Sequence, residues 1–92
     1  MDDDQFFRIA KALADPRRFE ILERIAAERE ASCAVINEEM ALTPATVSHH
    51  LGELAGAGLI TIRKDGKFAY MTARKPVLGE YLRTLKKKVT RR

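Results

Sequence analysis

The chain has 92 residues, 46% hydrophobic and 33% charged, which predicts one globular domain over residues 1–92 rather than a disordered chain. No apolar run approaches the roughly 18 residues that a membrane-spanning helix needs, so no membrane partner is expected. The acidic run at residues 2–4 differs from the basic start of a secretory signal. The single cysteine, Cys33, excludes an intrachain disulfide and suits a reducing compartment, so a cytoplasmic location is expected.

The net charge of +4 conceals an uneven distribution along the chain. Residues 1–60 hold 11 acidic and 6 basic side chains, whereas residues 61–92 hold 2 acidic and 11 basic ones. A basic C-terminal third on an acidic body indicates one face that meets a polyanion. A solvated surface rich in lysine and arginine would have the same composition, so charge alone leaves both interpretations open.

Four helices are predicted before the two glycines at residues 56 and 58. Apolar side chains at helical spacing predict the first helix over residues 3–14. An Asp-Pro pair at residues 15–16 and a Thr-Pro pair at residues 43–44 each join a capping side chain to a proline that suits the first helical turn. These pairs start the second and fourth helices. A short third helix is predicted over residues 34–41, and the fourth over residues 44–55.

The hydrophobic period changes from about 3.6 residues to about 2 after Gly58. Residues 59–64 and 67–72 flank Asp65-Gly66, a dipeptide that supplies the positive φ angles of a two-residue type I′ turn. A last helix is predicted over residues 76–90. The predicted fold is therefore all-α with a small β-hairpin, in the order α-α-α-α-β-β-α.

A short helix, a tight turn, a capped helix and a charged hairpin follow one another, which is the order of a winged helix-turn-helix. The outward N-terminal face of the fourth helix is small and hydrogen-bonding, which suits contact with phosphates and base edges. The candidate DNA-binding residues on it are Thr43, Ala45, Thr46, Ser48 and His49. The basic residues around the hairpin turn suit phosphates, although a solvated hairpin tip would be equally basic. These candidates are Arg63, Lys64 and Lys67.

The two terminal helices carry more apolar residues than a core of this size should need, and this surplus predicts a homodimer interface. The candidate interface residues are Phe6, Phe7, Ile9, Tyr81, Leu82, Leu85 and Val89. The last helix also ends in a basic tail, for which contact with DNA and simple solvation are both open.

Two long motifs resemble those of the ArsR/SmtB-type repressors. Residues 12–22, ALADPRRFEIL, are similar to the opening signature of that family. TPATVSHHL at residues 43–51, followed by GLI at residues 58–60, is similar to its recognition segment, and residues 63–70 resemble its wing. The resemblance implies a homodimeric winged-helix repressor that releases operator DNA when an inducer binds or a thiol is modified.

The chain departs from the metal-sensing members of that family. Where they have Cys-Val-Cys on the third helix, this chain has Ser32-Cys33-Ala34, and its last helix has no histidine. His49 and His50 point to different faces of one helix and should not form a metal pair. We therefore expect no metal site and no cofactor, and Cys33 is either a packed thiol or a thiol sensor.

The sequence thus predicts a sequence-specific DNA-binding transcriptional regulator whose partners are double-stranded DNA and a second copy of the chain. A winged-helix module that binds proteins instead of DNA is the alternative, but such a module would not need basic residues at its hairpin tip. An enzyme is not expected, because no arrangement of nucleophile, base and acid and no phosphate-binding glycine loop is visible.

Overall fold

The computed structural model describes residues 1–91, which form five helices and three short strands. In chain order these are α1 (Asp3–Leu13), α2 (Pro16–Ala27), β1 (Ala31–Ser32), α3 (Cys33–Met40), α4 (Pro44–Gly56), β2 (Ile60–Asp65), β3 (Phe68–Ala73) and α5 (Lys75–Thr90). The predicted class and the order of helices and hairpin are confirmed, and the two-residue strand β1 is an addition. Within residues 1–91, no helix combines the length and the apolar character that crossing a bilayer requires.

Side-chain caps determine where α2 and α4 begin, as predicted. The Asp15 carboxylate accepts hydrogen bonds from the backbone amides of Arg18 (3.0 Å) and Arg17 (2.9 Å) ahead of α2. The amide of Arg18, more than that of Arg17, lowers the pKa of Asp15, because both hydrogen bonds favour the carboxylate form. The Thr43 hydroxyl accepts from the amide of Thr46 at 3.2 Å and caps α4 in the same way.

The core lies where α1 to α4 meet the base of the hairpin. The largest fully buried side chains are Ile9, Ile21, Ile25, Ile36, Val47, Leu54, Leu59 and Met71. Removing one such aliphatic side chain from water contributes about 1.5–3 kcal/mol to folding. This core holds α4 at a fixed position against α1 and α2.

Three of the seven predicted interface residues are part of this core, so they supply no free surface. Ile9 is 0% exposed, Phe6 5% and Tyr81 8%. α5 returns to α1, where the Tyr81 ring stacks on Phe6 with 5.0 Å between ring centroids. The prediction that these three residues form surplus apolar surface is wrong, because α5 closes over α1 within one chain.

The three strands form an antiparallel sheet in the order β1-β3-β2. Asp65 pairs with Phe68, so the central residues of the turn are Gly66 and Lys67 and not the predicted Asp65 and Gly66. Positive φ in this turn occurs at Gly66 alone, at 62°. The predicted type I′ turn is therefore wrong, since glycine at the first central position belongs to a type II′ turn.

β1 joins the hairpin to the helices that follow it. Ala31 pairs with Met71 and Ser32 pairs with Tyr70, both on β3. α3 begins at Cys33, the residue directly after β1. β3, the middle strand, is thus hydrogen-bonded to the two residues that lead directly into α3.

Gly58 makes the turn between α4 and β2. Its φ is 80°, in the left-handed region that favours glycine. A Cβ added there would lie 2.8 Å from Gln5 Nε2, the atom that donates a hydrogen bond to the carbonyl of Ala57 at 3.3 Å. The turn therefore needs glycine for its backbone angle, and a side chain there would also displace the end of the Gln5 side chain.

We expect Gly58→Ala to lower the free energy of unfolding by about 1–2 kcal/mol, the cost of left-handed backbone for a residue with a Cβ. Gly56→Ala is the matched control, because a Cβ at Gly56 meets nothing within 4 Å in a helical residue. The control should raise the free energy of unfolding by up to about 1 kcal/mol. Urea unfolding followed by circular dichroism measures both, and equal effects of the two substitutions would contradict the assignment.

Candidate nucleic-acid interface

The N-terminal half of α4 presents a continuous exposed polar face. It consists of Thr43, Ala45, Thr46, Ser48 and His49, all of which are exposed. The opposite face of the same helix is buried and consists of Val47, His50, Leu51 and Leu54. The predicted division of the helix into two faces is therefore confirmed, whereas contact of the exposed face with DNA stays a prediction.

Hydrogen bonds at the start of α4 give its two threonines different roles. The Thr43 hydroxyl donates to Thr46 Oγ1 at 2.8 Å while it accepts from the Thr46 amide. The proton of Thr43 is thus used within the helix, whereas the Thr46 hydroxyl keeps its own proton for an external acceptor. Thr43 is a cap that orients its neighbour, and Thr46 is the donor that an approaching phosphate or base edge would meet.

A buried arginine on α2 connects α1 to α4. Arg18 is 8% exposed, and its guanidinium donates to the carbonyls of Ala12 (Nε, 2.8 Å) and Lys11 (Nη2, 3.2 Å) at the end of α1. Its Nη1 lies 3.3 Å from His50 Nδ1. A guanidinium can only donate, so Nδ1 is the acceptor in this contact.

His50 is buried at the edge of the core, where Arg18 contacts its ring, so the two histidines face different sides of α4 as predicted. His49 is exposed next to it, with 5.8 Å between the two ring centroids. Sequence reasoning missed Arg18, because nothing in the Arg17-Arg18 pair shows which guanidinium turns inward. The one available signal is helical spacing, which puts position 18 on the same face of α2 as Ile21, Leu22 and Ile25.

The three basic residues predicted on the hairpin have different environments. Lys64 and Lys67 are exposed, and no carboxylate within residues 1–91 lies within 4.0 Å of either ammonium group. Arg63 pairs in bidentate fashion with Glu30, through Nη2–Oε1 at 2.9 Å and Nε–Oε2 at 3.2 Å. Two of the three side chains are thus free to meet phosphate, and the third already has a carboxylate partner.

The remaining four predicted interface residues are exposed and are here called the terminal apolar patch: Phe7, Leu82, Leu85 and Val89. Their exposed fractions are 61%, 54%, 37% and 74%. The three α5 members lie three and four residues apart, so they form one stripe along the helix. Tyr81 is the one buried residue of α5, and a salt bridge of 2.7 Å from Lys88 to Asp3 holds the helix beside α1.

Cys33, the candidate thiol sensor, is half-buried at the first residue of α3 and packs against the core. In the part of the chain that the structure describes, no group of three His, Cys, Asp or Glu side chains is arranged to hold a metal ion.

The chain is similar to helix-turn-helix proteins in sequence and in structure. A family model described as a helix-turn-helix domain matches residues 13–63. The uncharacterized HTH-type transcriptional regulator YceK of Bacillus subtilis is 33% identical over 82 residues, which cover 88% of this chain and 82% of that protein. The arsenical resistance operon repressor of Staphylococcus aureus is 30% identical over 77 residues, which cover 84% of this chain and 73% of that protein.

Among solved structures, the chain resembles a homodimeric winged helix-turn-helix DNA-binding domain of Mycobacterium bovis, titled a possible ArsR-family transcriptional regulator. The TM-score is 0.75 at 26% identity, and the match covers 100% of this chain and 92% of that domain.

We expect Arg18→Met to lower the free energy of unfolding by about 2–3 kcal/mol, because two carbonyls at the end of α1 lose a charged donor inside the fold. Arg83→Met is the control, since Arg83 is exposed on α5 and its loss should change stability by no more than about 0.5 kcal/mol. Chemical denaturation measures both variants. A small effect of Arg18→Met, equal to that of the control, would show that the buried guanidinium does not stabilise the junction of α1 with α2.

Proposed function

This chain belongs to the ArsR-type winged helix-turn-helix transcriptional regulators, and from that membership we propose that it is a homodimeric repressor which binds operator DNA in the cytoplasm and releases it on a signal. One observation carries this proposal: the exposed polar face of α4 lies on a helix whose other face is locked into the core. A rigid helix with a polar outer face is what insertion into the major groove requires.

The proposed DNA contacts divide between α4 and the hairpin. Thr46, Ser48 and His49 on α4 would meet base edges and nearby phosphates, and small Ala45 would allow close approach to a thymine methyl group. Lys64 and Lys67 have no carboxylate partner within residues 1–91, so they are available to neutralise phosphates beside the groove. α4 contains no lysine or arginine, so bidentate recognition of guanine is not expected from it.

The terminal apolar patch supports the homodimer. Its four side chains are exposed in a single chain, and a second copy meeting it around a two-fold axis would remove both patches from water. The similar domain of Mycobacterium bovis is titled homodimeric, which agrees with this assembly. Such a dimer presents two α4 helices to two half-sites separated by about one helical turn of DNA, roughly 34 Å.

One relative and the position of one thiol support repression and release. The staphylococcal relative is named a repressor, which favours repression over activation. Cys33 begins α3 and packs against the core that α3 shares with α4, so modification of its thiol would displace the helix that supports the DNA-reading face.

We expect the unmutated chain to sediment as a dimer at micromolar concentration and the double variant Leu82→Glu, Leu85→Glu to sediment as a monomer. Four carboxylates brought into one apolar interface would have to lose their hydration. The double variant Arg83→Glu, Lys87→Glu is the control, because it alters the opposite side of α5 and should remain dimeric. A monomeric unmutated chain in analytical ultracentrifugation would contradict the dimer.

For DNA binding, the operator is first selected from genomic fragments that the purified protein retains, and affinity is then measured by fluorescence anisotropy. Ser48→Ala and His49→Ala should each weaken operator binding about tenfold and leave binding to random DNA nearly unchanged. Lys64→Ala and Lys67→Ala should weaken both kinds of DNA and reduce the slope of log affinity against log salt by about one each.

Arg29→Ala controls for lost charge, because Arg29 is exposed outside α4 and the hairpin; it should change neither the operator preference nor the slope. Equal losses on operator and random DNA for the α4 variants would show that this helix does not read sequence. Failure to retain any DNA fragment would favour the protein-binding module over the proposed function.

A further inference from the structure

The Arg63 side chain crosses the three-stranded sheet to reach Glu30. Glu30 directly precedes β1, which is one edge of the sheet, and Arg63 lies on β2, which is the other. Tyr70 on β3 lies between them, paired with Ser32 on one side and with Arg63 on the other. The guanidinium lies over the Tyr70 ring, 4.7 Å from its centroid, while it makes both hydrogen bonds to the Glu30 carboxylate.

Both members of this ion pair keep their charge at neutral pH. The hydrogen bond and the positive charge of Arg63 lower the pKa of Glu30, and the carboxylate raises the pKa of Arg63. Asp65 adds a second carboxylate 3.9 Å from the same guanidinium. Arg63 is thus bound by two acidic groups and one aromatic ring, whereas Lys64 on the next position of the strand has no such partner within residues 1–91.

The core holds the hairpin through β3, where Met71 is 0% exposed, and leaves most of β2 outside. Ile60 is buried, but the following five residues of β2 are all exposed, so the core holds only the base of this strand. β1 provides two further residue pairs, and it continues directly into α3. The Glu30–Arg63 bridge therefore joins the outer strand of the hairpin to the segment that leads into the helix-turn-helix.

We propose that Glu30 is a positioning residue for DNA binding: through Arg63 and Tyr70 it holds the hairpin at the angle that brings Lys64 and Lys67 to the phosphates while α4 occupies the groove. In this proposal Arg63 acts through Glu30 and not as a phosphate contact, which is an alternative to the role predicted for it from the basic residues around the hairpin turn. This inference rests on the proposed DNA-binding function.

The test compares Glu30→Gln and Arg63→Gln with the double variant and with the exchange Glu30→Arg, Arg63→Glu. Loss of a carboxylate near DNA should strengthen binding on charge grounds alone, whereas loss of a positioning residue should weaken it. We expect Glu30→Gln to weaken operator binding about threefold to fivefold, in line with an exposed ion pair supported by a cation–π contact. The double variant should bind no worse than either single variant, and the exchange should recover most of the affinity.

Two controls separate position from charge. Glu28→Gln removes a carboxylate from the same exposed loop, where Glu28 has no ion-pair partner within residues 1–91, and should not weaken binding. The salt slope should be the same for Glu30→Gln, for Arg63→Gln and for the unmutated chain, because no phosphate contact is lost.

Hydrogen exchange of the β3 amides in the absence of DNA provides a readout that does not depend on operator binding. Exchange at Tyr70 and Met71 should accelerate severalfold in Glu30→Gln and recover in the exchanged pair. One outcome is that hydrogen exchange accelerates in Glu30→Gln while the unmutated chain binds no DNA. In that case the proposed function is wrong, but the role of Glu30 in holding the hairpin is supported. If Glu30→Gln strengthens operator binding and Arg63→Gln lowers the salt slope by about one, Arg63 is a phosphate contact and the inference is wrong. Unchanged exchange would contradict it as well.

Discussion

The buried guanidinium of Arg18 is the interaction on which the arrangement of the helices depends. A cation removed from water is costly unless it is hydrogen-bonded, and here the partners are the carbonyls of Lys11 and Ala12, at the negative end of the α1 dipole. The same group lies against His50, so one side chain links α1, α2 and α4. The exposed face of α4 has a defined direction because the buried face is held by this contact together with the packing of Val47, Leu51 and Leu54.

Two other arginines, one on α1 and one on α2, also direct their guanidinium groups to carbonyls at the end of a helix. Arg17 Nη2 donates to the carbonyl of Met40 at 2.7 Å, where α3 ends. Arg8 Nη1 lies 3.5 Å from the carbonyl of Gly56, where α4 ends. The last carbonyls of a helix have no partner within it, so these donors satisfy groups that would otherwise need water. Arginines on α1 and α2 thus contact the C-terminal ends of α3 and α4, the two helices of the helix-turn-helix.

The features that could be predicted from the sequence are those whose partners lie close along the chain. The caps at Asp15 and Thr43 bind amides two or three residues away, and the two faces of α4 follow from helical spacing alone. The features that were missed depend on distant partners: Arg18 and His50 are 32 residues apart, and Arg63 and Glu30 are 33 apart. The same holds for Phe6 and Tyr81, because α5 returns to α1 only in the folded chain. The prediction of the turn type was wrong for a different reason: a shift of one residue in strand pairing changes which residues form the turn.

The length of α5 beyond Tyr81 has a consequence for how the protein would respond to its own abundance. This stretch adds little to the core of its own chain, so substitutions there can change the strength of self-association without disturbing the fold or the face of α4. In the dimer proposed here, operator occupancy rises with the square of protomer concentration when association is weak, and in direct proportion when it is strong. A few side chains on one helix would therefore set whether the operator responds gradually or steeply as the cell makes more of this protein.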